Sequence, residues 1–308
     1  MVITPEQIKI DAMGGPCKLT LCGYGSDKVV LDLSPAQVEL LNARFIRSFM
    51  VRCRKEKIFA EIDDAPNCDA LELLARRYGL CDACEFSDIN LYGVKRILKV
   101  VVDVLYKYPR LRSRFCYIGS HAGFKEKVER LRSGDAAMLR EFNLHYICDR
   151  ETAIALGSLA YNVMDTVMAE HDSYIAMAVS MFGFFDAVLL DHNDYEGYAY
   201  IKMISNLRYS ERTGFHPQAC HTPESVVYHE VGHMLDYLCS LSDNADLKTY
   251  VSRFTKKEIH EGVSEYATSS TAELIAEAFA EYMCNPTPRK IANYIGGLID
   301  SEYVKIPK

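Results

Sequence analysis

The sequence predicts an α+β protein in which helices outnumber strands, and three observations carry this prediction. Several stretches open with a polar cap and then repeat apolar residues every three or four positions, which is typical of amphipathic helices. A few short runs are rich in β-branched and aromatic residues and are bounded by turn residues, as strands are. With 308 residues and 49% hydrophobic content, the chain can bury a substantial core in one large domain or two modest ones.

The predicted elements fall into two parts of the chain. Helices are predicted over residues 34–54, 69–78, 90–106, 123–133, 135–143 and 150–170. Strands are predicted over residues 18–23 and 29–33, which can pair as a hairpin, and over 115–119, 187–191 and 198–205. We place a domain boundary before the strand that begins at Phe115. The prediction is a mainly helical domain over 1–115, whose role the sequence does not show, and a second domain over 116–308.

Composition limits the partners of the chain. Its net charge is −7 and it has no basic tract, which argues against nucleic acid and anionic membranes as partners. No stretch has the length of a membrane span, and the first residues lack the features of a signal peptide. We expect a cytoplasmic protein that acts on a protein or peptide; delivery into another cell and a prophage origin stay open, as does the oligomeric state.

The cysteines agree with a reducing compartment. There are 11 of them, scattered without a compact framework, which predicts reduced thiols rather than disulfides. Cys81 and Cys84 form a solitary C-x-x-C, and Cys68 precedes them. A structural metal at these residues is the alternative to plain thiols, but no second pair stands at the spacing of a zinc site.

The most informative run of the chain is His229-Glu230-Val231-Gly232-His233. Residues 222–224 form a helix start before it, with a hydroxyl cap, a proline at the first helical position and an acid in the first turn. On that helix His229 and His233 lie one turn apart on the same face, so two imidazoles can reach one metal ion while Glu230 points into the adjacent cleft. Such a pair also arises by chance on solvated faces, but the apolar neighbours predict a buried helix, where histidines need partners.

A third metal ligand is expected downstream, because catalytic zinc keeps three protein ligands and leaves one position for water. Asp236 and Cys239 stand where a three-histidine motif would need glycine and histidine, so the third ligand is expected to be a carboxylate. The acids that come next along the chain are Glu258, Glu261, Glu265 and Glu273.

Among these acids we favour Glu273. It opens a helix that ends before Asn285-Pro286, and glutamate recurs at 273, 277 and 281 along an otherwise apolar sequence, which predicts an acidic stripe facing something positive. The competing interpretation is structural: Ser270 caps this helix and Glu273 is its capping-box partner.

The segment from Tyr266 to Ala280, YATSSTAELIAEAFA, resembles the second half of the zinc site in the anthrax lethal factor and Pro-Pro endopeptidase group of zincin metallopeptidases. In that group a tyrosine stands seven residues before the ligand glutamate, which begins an E-x-x-A-E-A-F run, as Glu273 does here. The group also continues its H-E-x-G-H with two residues and an aspartate, matched here by Asp236. The resemblance covers about residues 220–285.

The resemblance implies that His229, His233 and Glu273 hold one zinc ion per chain. It also implies that Glu230 is the general base and that Tyr266 stabilises the oxyanion. For Tyr266 the alternative is an ordinary tyrosine among the 20 of the chain.

Two further acids are predicted to support the ligands. Glu277, one turn after Glu273, is placed to accept the free ring N–H of a ligand histidine, which fixes its tautomer and orientation. Asp236 can do the same for the other histidine, and its alternative is a solvated helix residue.

A zincin-like domain implies a small mixed sheet above the H-E-x-x-H helix, with an edge strand that binds substrate. Residues 198–205, YAYIKMIS, have the composition of such a strand, so substrate contacts are expected near Tyr200, Lys202 and Ile204 by strand addition. The loop 214–221 follows. Its histidines and cysteine can tune specificity or bind a second metal, although a plain turn around Pro217 is favoured.

The sequence therefore predicts a zinc-dependent metalloendopeptidase. Two alternatives use the same residues: a non-catalytic zincin-like scaffold or binding module, and a zinc amidase that acts on a non-protein substrate. Glu230 and Tyr266 argue against the scaffold, because a structural metal site needs neither a base nor an oxyanion donor.

Overall fold

The computed structural model describes residues 17–22, 28–34, 55–146, 148–170, 176–180, 186–191 and 197–306. Over these residues the protein is a mixed α+β structure and mostly helical, as predicted. The chain forms two compact units, Met1–His192 and Asn193–Lys308. No helix in the described ranges is long and apolar enough to cross a membrane.

The first unit contains all the described strands and six described helices. Its strands are β1 (Cys17–Cys22), β2 (Lys28–Leu33), β3 (Ala83–Glu85), β4 (Phe115–Ser120), β5 (Ala176–Ser180) and β6 (Asp186–Leu190). Its helices are α1 (Lys55–Asp64), α2 (Cys68–Tyr78), α3 (Leu91–Lys107), α4 (His121–Arg132), α5 (Ala136–Glu141) and α6 (Arg150–Glu170). The helix predicted over 34–54 lies almost wholly outside the described residues.

The strands form two sheets. β1 and β2 pair antiparallel, which confirms the predicted hairpin. The second sheet has the order β3-β4-β6-β5, with the first three strands parallel and β5 antiparallel at the edge. Every residue of β4 and β6 is buried, as expected for parallel strands that are covered on both faces.

Local capping explains the helices that the sequence predicted well. The side chain of Asn67 accepts a hydrogen bond from the N–H of Ala70 at the start of α2, and Gly79 ends that helix in the left-handed conformation. Asn90 caps α3 in the same way. These signals lie within a few residues of the helix ends, so the sequence alone reveals them.

The division between the units lies between His192 and Asn193, not at the predicted boundary of 115 and 116. The reason is the strand that begins at Phe115, which pairs with β3 on one side and β6 on the other. Arg114 and Asp186 reinforce this pairing through a buried ion pair of 2.5 Å. Segments from both sides of the predicted boundary therefore share one sheet.

The second unit is helical wherever it forms regular secondary structure between residues 197 and 306. Its helices are α7 (Gly197–Thr213), α8 (Pro223–Cys239), α9 (Ala245–Val251), α10 (Lys256–Gly262), α11 (Thr271–Cys284) and α12 (Lys290–Lys305). The sheet that a zincin-like domain would place over the H-E-x-x-H helix is therefore not found among the described residues of this unit.

The predicted edge strand over 198–205 is wrong, because these residues belong to α7. Tyr200, Met203 and Leu207 are buried at helical spacing, while Ile201 is 63% exposed. The β-branched and aromatic content of the segment indicated a strand, but burial at intervals of three and four residues requires a helix. The substrate contacts predicted at Tyr200, Lys202 and Ile204 by strand addition are withdrawn with it.

Helices α8 and α11 pack closely where Gly232 faces Ala276. A Cβ atom added at Gly232 would lie 2.7 Å from the Cα atom of Ala276 and 3.3 Å from its carbonyl oxygen. Such distances are shorter than normal packing allows, so glycine is needed for this approach. Each helix carries its metal-ligand candidates within one turn of this contact.

We expect Gly232→Ala to destabilise the protein by about 1–3 kcal/mol, because the methyl group must displace the backbone of α11. Chemical denaturation of the metal-free protein measures this. Gly297→Ala on α12 is the matched control, since its Cβ would meet nothing within 4 Å; it should gain about 0.5–1 kcal/mol. Equal stability of Gly232→Ala and the wild type would contradict the close approach.

Candidate metal centre

Three candidate ligand atoms, carried by α8 and α11, lie close together. The Nε2 atoms of His229 and His233 are 3.2 Å apart. Glu273 Oε2 lies 3.2 Å from the first of these nitrogens and 3.5 Å from the second. In the described part of the chain, these residues are the one group of three or more His, Cys, Asp or Glu side chains arranged to hold a metal ion.

The separations of these atoms fit a zinc ion. Tetrahedral zinc with bonds of about 2.0–2.1 Å has ligand atoms about 3.3–3.4 Å apart. The observed separations of 3.2, 3.2 and 3.5 Å bracket that value. Glu273 Oε2 is also buried, and no contact in the structure meets the geometry of a hydrogen bond to it, so a metal ion between it and the two nitrogens would satisfy it. Two imidazoles and one carboxylate, which leave a fourth position open, are the donor set of several catalytic zinc sites.

Both interpretations of Glu273 describe part of its environment. Its backbone N–H donates to Ser270 Oγ at 3.1 Å, so Ser270 is the N-cap of α11. Its carboxylate, however, turns to the imidazoles of α8. The other candidate ligands lie elsewhere: Glu258 is engaged in a capping box with Thr255 at the start of α10, and Glu261 and Glu265 are exposed.

Glu277 stands directly behind His229. Its Oε1 atom is 2.8 Å from His229 Nδ1, which is within hydrogen-bonding distance although the two groups are poorly aligned. Glu277 is only 2% exposed, and its Oε2 atom accepts a hydrogen bond of 2.7 Å from the hydroxyl of Ser264. The structure therefore brings together the candidate ligand His229 and the acid that was predicted to support it.

Proximity of opposite charges dominates the electrostatics of this cluster. Burial would lower the pKa of His229, but contacts with Glu273 and Glu277 raise it well above its ordinary value. Burial would raise the pKa of Glu273, yet His229 and His233 hold it well below its usual range. In the same way His216 and His229 lower the pKa of Glu277 to about 2 against the effect of burial. Both acids therefore keep negative charge beside the imidazoles.

Glu230 and Tyr266 lie beside the three converging atoms. Glu230 is 5% exposed and close enough for its charge to affect both His229 and Tyr266. The ring of Tyr266 stacks on that of His229, with centroids 5.9 Å apart and planes 25° from parallel. Burial and the neighbouring carboxylates, Glu273 first among them, raise the pKa of Tyr266 to about 12. The phenol therefore stays protonated at neutral pH.

Asp236 binds the segment that follows the C-terminal end of α8. It is buried, and its two oxygens accept hydrogen bonds of 2.7 and 2.6 Å from the backbone N–H and the hydroxyl of Ser242. The solvated alternative for Asp236 is therefore wrong. Support of the second ligand histidine stays a prediction, since the bonds described for this carboxylate go to Ser242.

Glu281, the third acid of the stripe, faces a cation that the sequence analysis missed. Its carboxylate accepts bonds from Arg289 Nε at 3.0 Å and Nη2 at 2.6 Å, and from the backbone N–H of Arg289 at 2.8 Å. The same guanidinium donates to the carbonyls of Glu261 and Val263. Arg289 thus ties α11 to the segment before Tyr266. The sequence signal that could have predicted this pair is the position of Arg289 shortly after the helix end at Asn285-Pro286.

Loop 214–216 also reaches the centre, so His216 takes part in it, a role that the sequence left open while favouring a plain turn around Pro217. The Nδ1 atom of His216 lies 3.3 Å from both oxygens of Glu277. Phe215 stacks on Tyr266 at a centroid distance of 5.6 Å. His221, further along the loop, instead pairs with Glu211 at 2.8 Å. A histidine before proline has no fixed spacing from the H-E-x-x-H motif, so the sequence did not distinguish a role for His216 at the centre from a plain turn.

The cysteines belong to no group of potential metal ligands among the described residues. Cys84 donates to the carbonyl of Glu72 at 3.7 Å, and Cys68 donates to the carbonyl of Ile89 at 3.4 Å. None of the eight cysteines whose side chains are described forms a disulfide.

No protein-family model, curated protein or solved structure matches this chain. The assignment of a function therefore depends on the chemistry of the centre and on the resemblance of its two motifs.

We expect Arg289→Leu to cost about 3–5 kcal/mol of folding free energy, because Glu281 would stay buried without its cation. Urea denaturation measures the loss. Lys257→Leu is the control, because Lys257 and Glu261 form an exposed pair of 3.7 Å, worth at most about 1 kcal/mol. The double variant Glu281→Leu/Arg289→Leu should recover part of the loss. An Arg289→Leu protein as stable as the control would contradict the role of this pair.

Proposed function

We propose that the chain is a zinc-dependent endopeptidase in which His229, His233 and Glu273 hold the metal ion. One observation carries the proposal: two imidazole nitrogens and a carboxylate oxygen converge within 3.5 Å of one another, beside a buried glutamate and a stacked tyrosine. The resemblance of residues 220–285 to the lethal factor and Pro-Pro endopeptidase group supports the same assignment.

Each residue of the centre has a distinct task in peptide hydrolysis. A bound zinc ion would lower the pKa of a water molecule and polarise the scissile carbonyl. Glu230 takes a proton from the attacking water and then delivers it to the leaving amine. Tyr266, whose raised pKa keeps its proton in place, donates a hydrogen bond to the carbonyl oxygen as that oxygen gains negative charge.

A non-catalytic metal scaffold is the first alternative. A metal that only stabilises a fold requires ligands, whereas a base and an oxyanion donor serve no purpose there. Here Glu230 and Tyr266 both lie beside the ligands, and Glu230 is buried without being one of the three converging groups. Catalysis gives both residues a task, so we favour the enzyme.

A zinc amidase acting on a non-protein substrate is the second alternative. It would use the same five residues and would differ only in the surroundings of the scissile bond. Since the edge strand over 198–205 is withdrawn, peptide binding by strand addition there forms no part of the proposal. Cleavage assays with peptides and with small amides therefore distinguish the endopeptidase from the amidase.

We expect Glu230→Gln to lower peptide cleavage by roughly 100- to 10,000-fold, the usual contribution of a general base, while zinc stays bound. A diverse peptide library, read by mass spectrometry, measures cleavage, and elemental analysis measures zinc. Glu265→Gln, at an exposed position, is the control and should cleave as the wild type does.

Three outcomes would contradict parts of this assignment. Loss of zinc from Glu230→Gln would show that Glu230 is not the base but holds the metal. Zinc-loaded wild type that hydrolyses small acyl amides and no peptides would favour the amidase. A zinc-loaded protein inert toward both classes would favour the scaffold.

We expect Glu273→Ala to weaken zinc binding strongly, because two histidines alone would remain as ligands. Competition with a chromophoric chelator measures the affinity. Glu261→Ala removes an exposed acid on the neighbouring helix α10 and should leave the affinity unchanged. Equal zinc affinity in Glu273→Ala and the wild type would move the third ligand to another acid, with Glu277 the next candidate.

A further inference from the structure

We propose that His216 is a positioning residue of the metal centre, which holds Glu277 so that Glu277 can orient the ligand His229. The inference rests on the proposed zinc site and adds a residue to it from outside both sequence motifs. The role is carried by Nδ1 of His216 and by a chain of contacts that runs from the loop 214–216 through α11 to α8.

The chain of contacts consists of two short steps. His216 Nδ1 lies 3.3 Å from Oε1 and 3.3 Å from Oε2 of Glu277, so it faces the whole carboxylate. Glu277 Oε1 then lies 2.8 Å from His229 Nδ1, on the opposite side of the ring from the Nε2 atom that faces Glu273. A displacement of the carboxylate would therefore turn the imidazole that carries the ligand atom.

The position of His216 is fixed by its neighbours on the chain. The N–H of Glu265 donates to the carbonyl of Gly214 at 2.8 Å, and the N–H of Tyr266 donates to the carbonyl of Phe215 at 3.2 Å. Gly214 makes the preceding turn with a φ of 78°, a conformation that favours glycine. These backbone bonds hold the loop against the segment that carries Tyr266.

The ring of His216 is also held by aromatic contacts. It packs edge-on against Tyr266, with centroids 5.9 Å apart and planes 81° from parallel. It packs in the same manner against Phe215 at 5.0 Å. Since aromatic pairs favour such edge-to-face geometry, the ring has a defined orientation toward Glu277.

Glu277 needs more than one partner because it is buried. A carboxylate that is 2% exposed must have its lone pairs satisfied by protein groups. Ser264 and His229 supply two contacts, and His216 supplies the third. Without His216, we expect the carboxylate to shift toward its remaining donors and to lose its alignment with the ligand ring. Partners of this kind behind a metal ligand typically contribute 10- to 100-fold to metal affinity.

Three substitutions at one position test which ring nitrogen matters. The amide nitrogen of asparagine can take the place of Nδ1, whereas the longer glutamine places its amide where Nε2 lies. We expect His216→Ala and His216→Gln to weaken zinc affinity about 10- to 100-fold, and His216→Asn to stay close to the wild type. Chelator competition at constant pH measures the affinity. The visible spectrum of the Co²⁺-loaded protein, which reports ligand orientation, should change in the alanine and glutamine variants.

His221→Ala is the matched control. His221 lies in the same loop and pairs with a glutamate, but that glutamate is Glu211, outside the centre. This variant should bind zinc as the wild type does, and circular dichroism checks that each variant is folded. If His216→Ala does not fold, the comparison of asparagine with glutamine still decides the question.

The possible results separate this inference from the proposed function. Wild-type zinc affinity in His216→Ala, or rescue by glutamine instead of asparagine, would overturn the positioning role while leaving the zinc site intact. A wild-type protein that binds no zinc would overturn the proposed metal site itself.

Discussion

The candidate centre depends on the close approach of two helices at Gly232. Helix α8 carries His229 and His233 and helix α11 carries Glu273 and Glu277, so neither helix can form the centre alone. Because the position facing Ala276 lacks a side chain, the two backbones approach closely enough for a Cβ atom to be excluded. The side chains of His229, His233 and Glu273, all within one turn of this contact, then meet across the interface, so the separations of the three candidate ligand atoms depend on it.

Three buried acidic side chains lie on these two helices. Glu230, Glu277 and Glu281 are each at most 5% exposed, which is expensive unless each charge meets a partner. Glu281 is neutralised by Arg289 and Glu277 faces two histidines. The stripe of three glutamates therefore has a different partner at each turn of α11: the converging imidazoles at Glu273, a bridge between histidines at Glu277 and an arginine at Glu281. A metal ion bound at Glu273 would give that glutamate a cationic partner too, as Arg289 does for Glu281.

The loop 214–216 and the segment 264–266 join this arrangement from a third direction. Phe215, which is 41% exposed, stacks on Tyr266, and Tyr266 stacks on His229. The rings of Phe215, Tyr266 and His229 thus form a stack that runs from the surface to the candidate ligand His229. Ser264 strengthens the connection, because its hydroxyl donates to Glu277 and accepts the N–H of Ala267 in the turn that carries Tyr266. The proposed oxyanion donor and the proposed positioning residue are therefore held by the same elements.

Short-range signals in the sequence determined the helices of both motifs, their starts at Thr222 and Ser270, and the faces that carry His229, His233 and Glu273, because helix periodicity and capping act over a few residues. Long-range contacts decided the rest. Residues 198–205 form a helix since their apolar side chains are buried at helical intervals in the folded unit. The strand from Phe115 belongs with its distant partners Ala83–Glu85 and Asp186–Leu190. The partners of Asp236, Glu281 and His216 depend on which segments lie next to each other in the folded protein. Residue spacing along the chain does not predict those contacts.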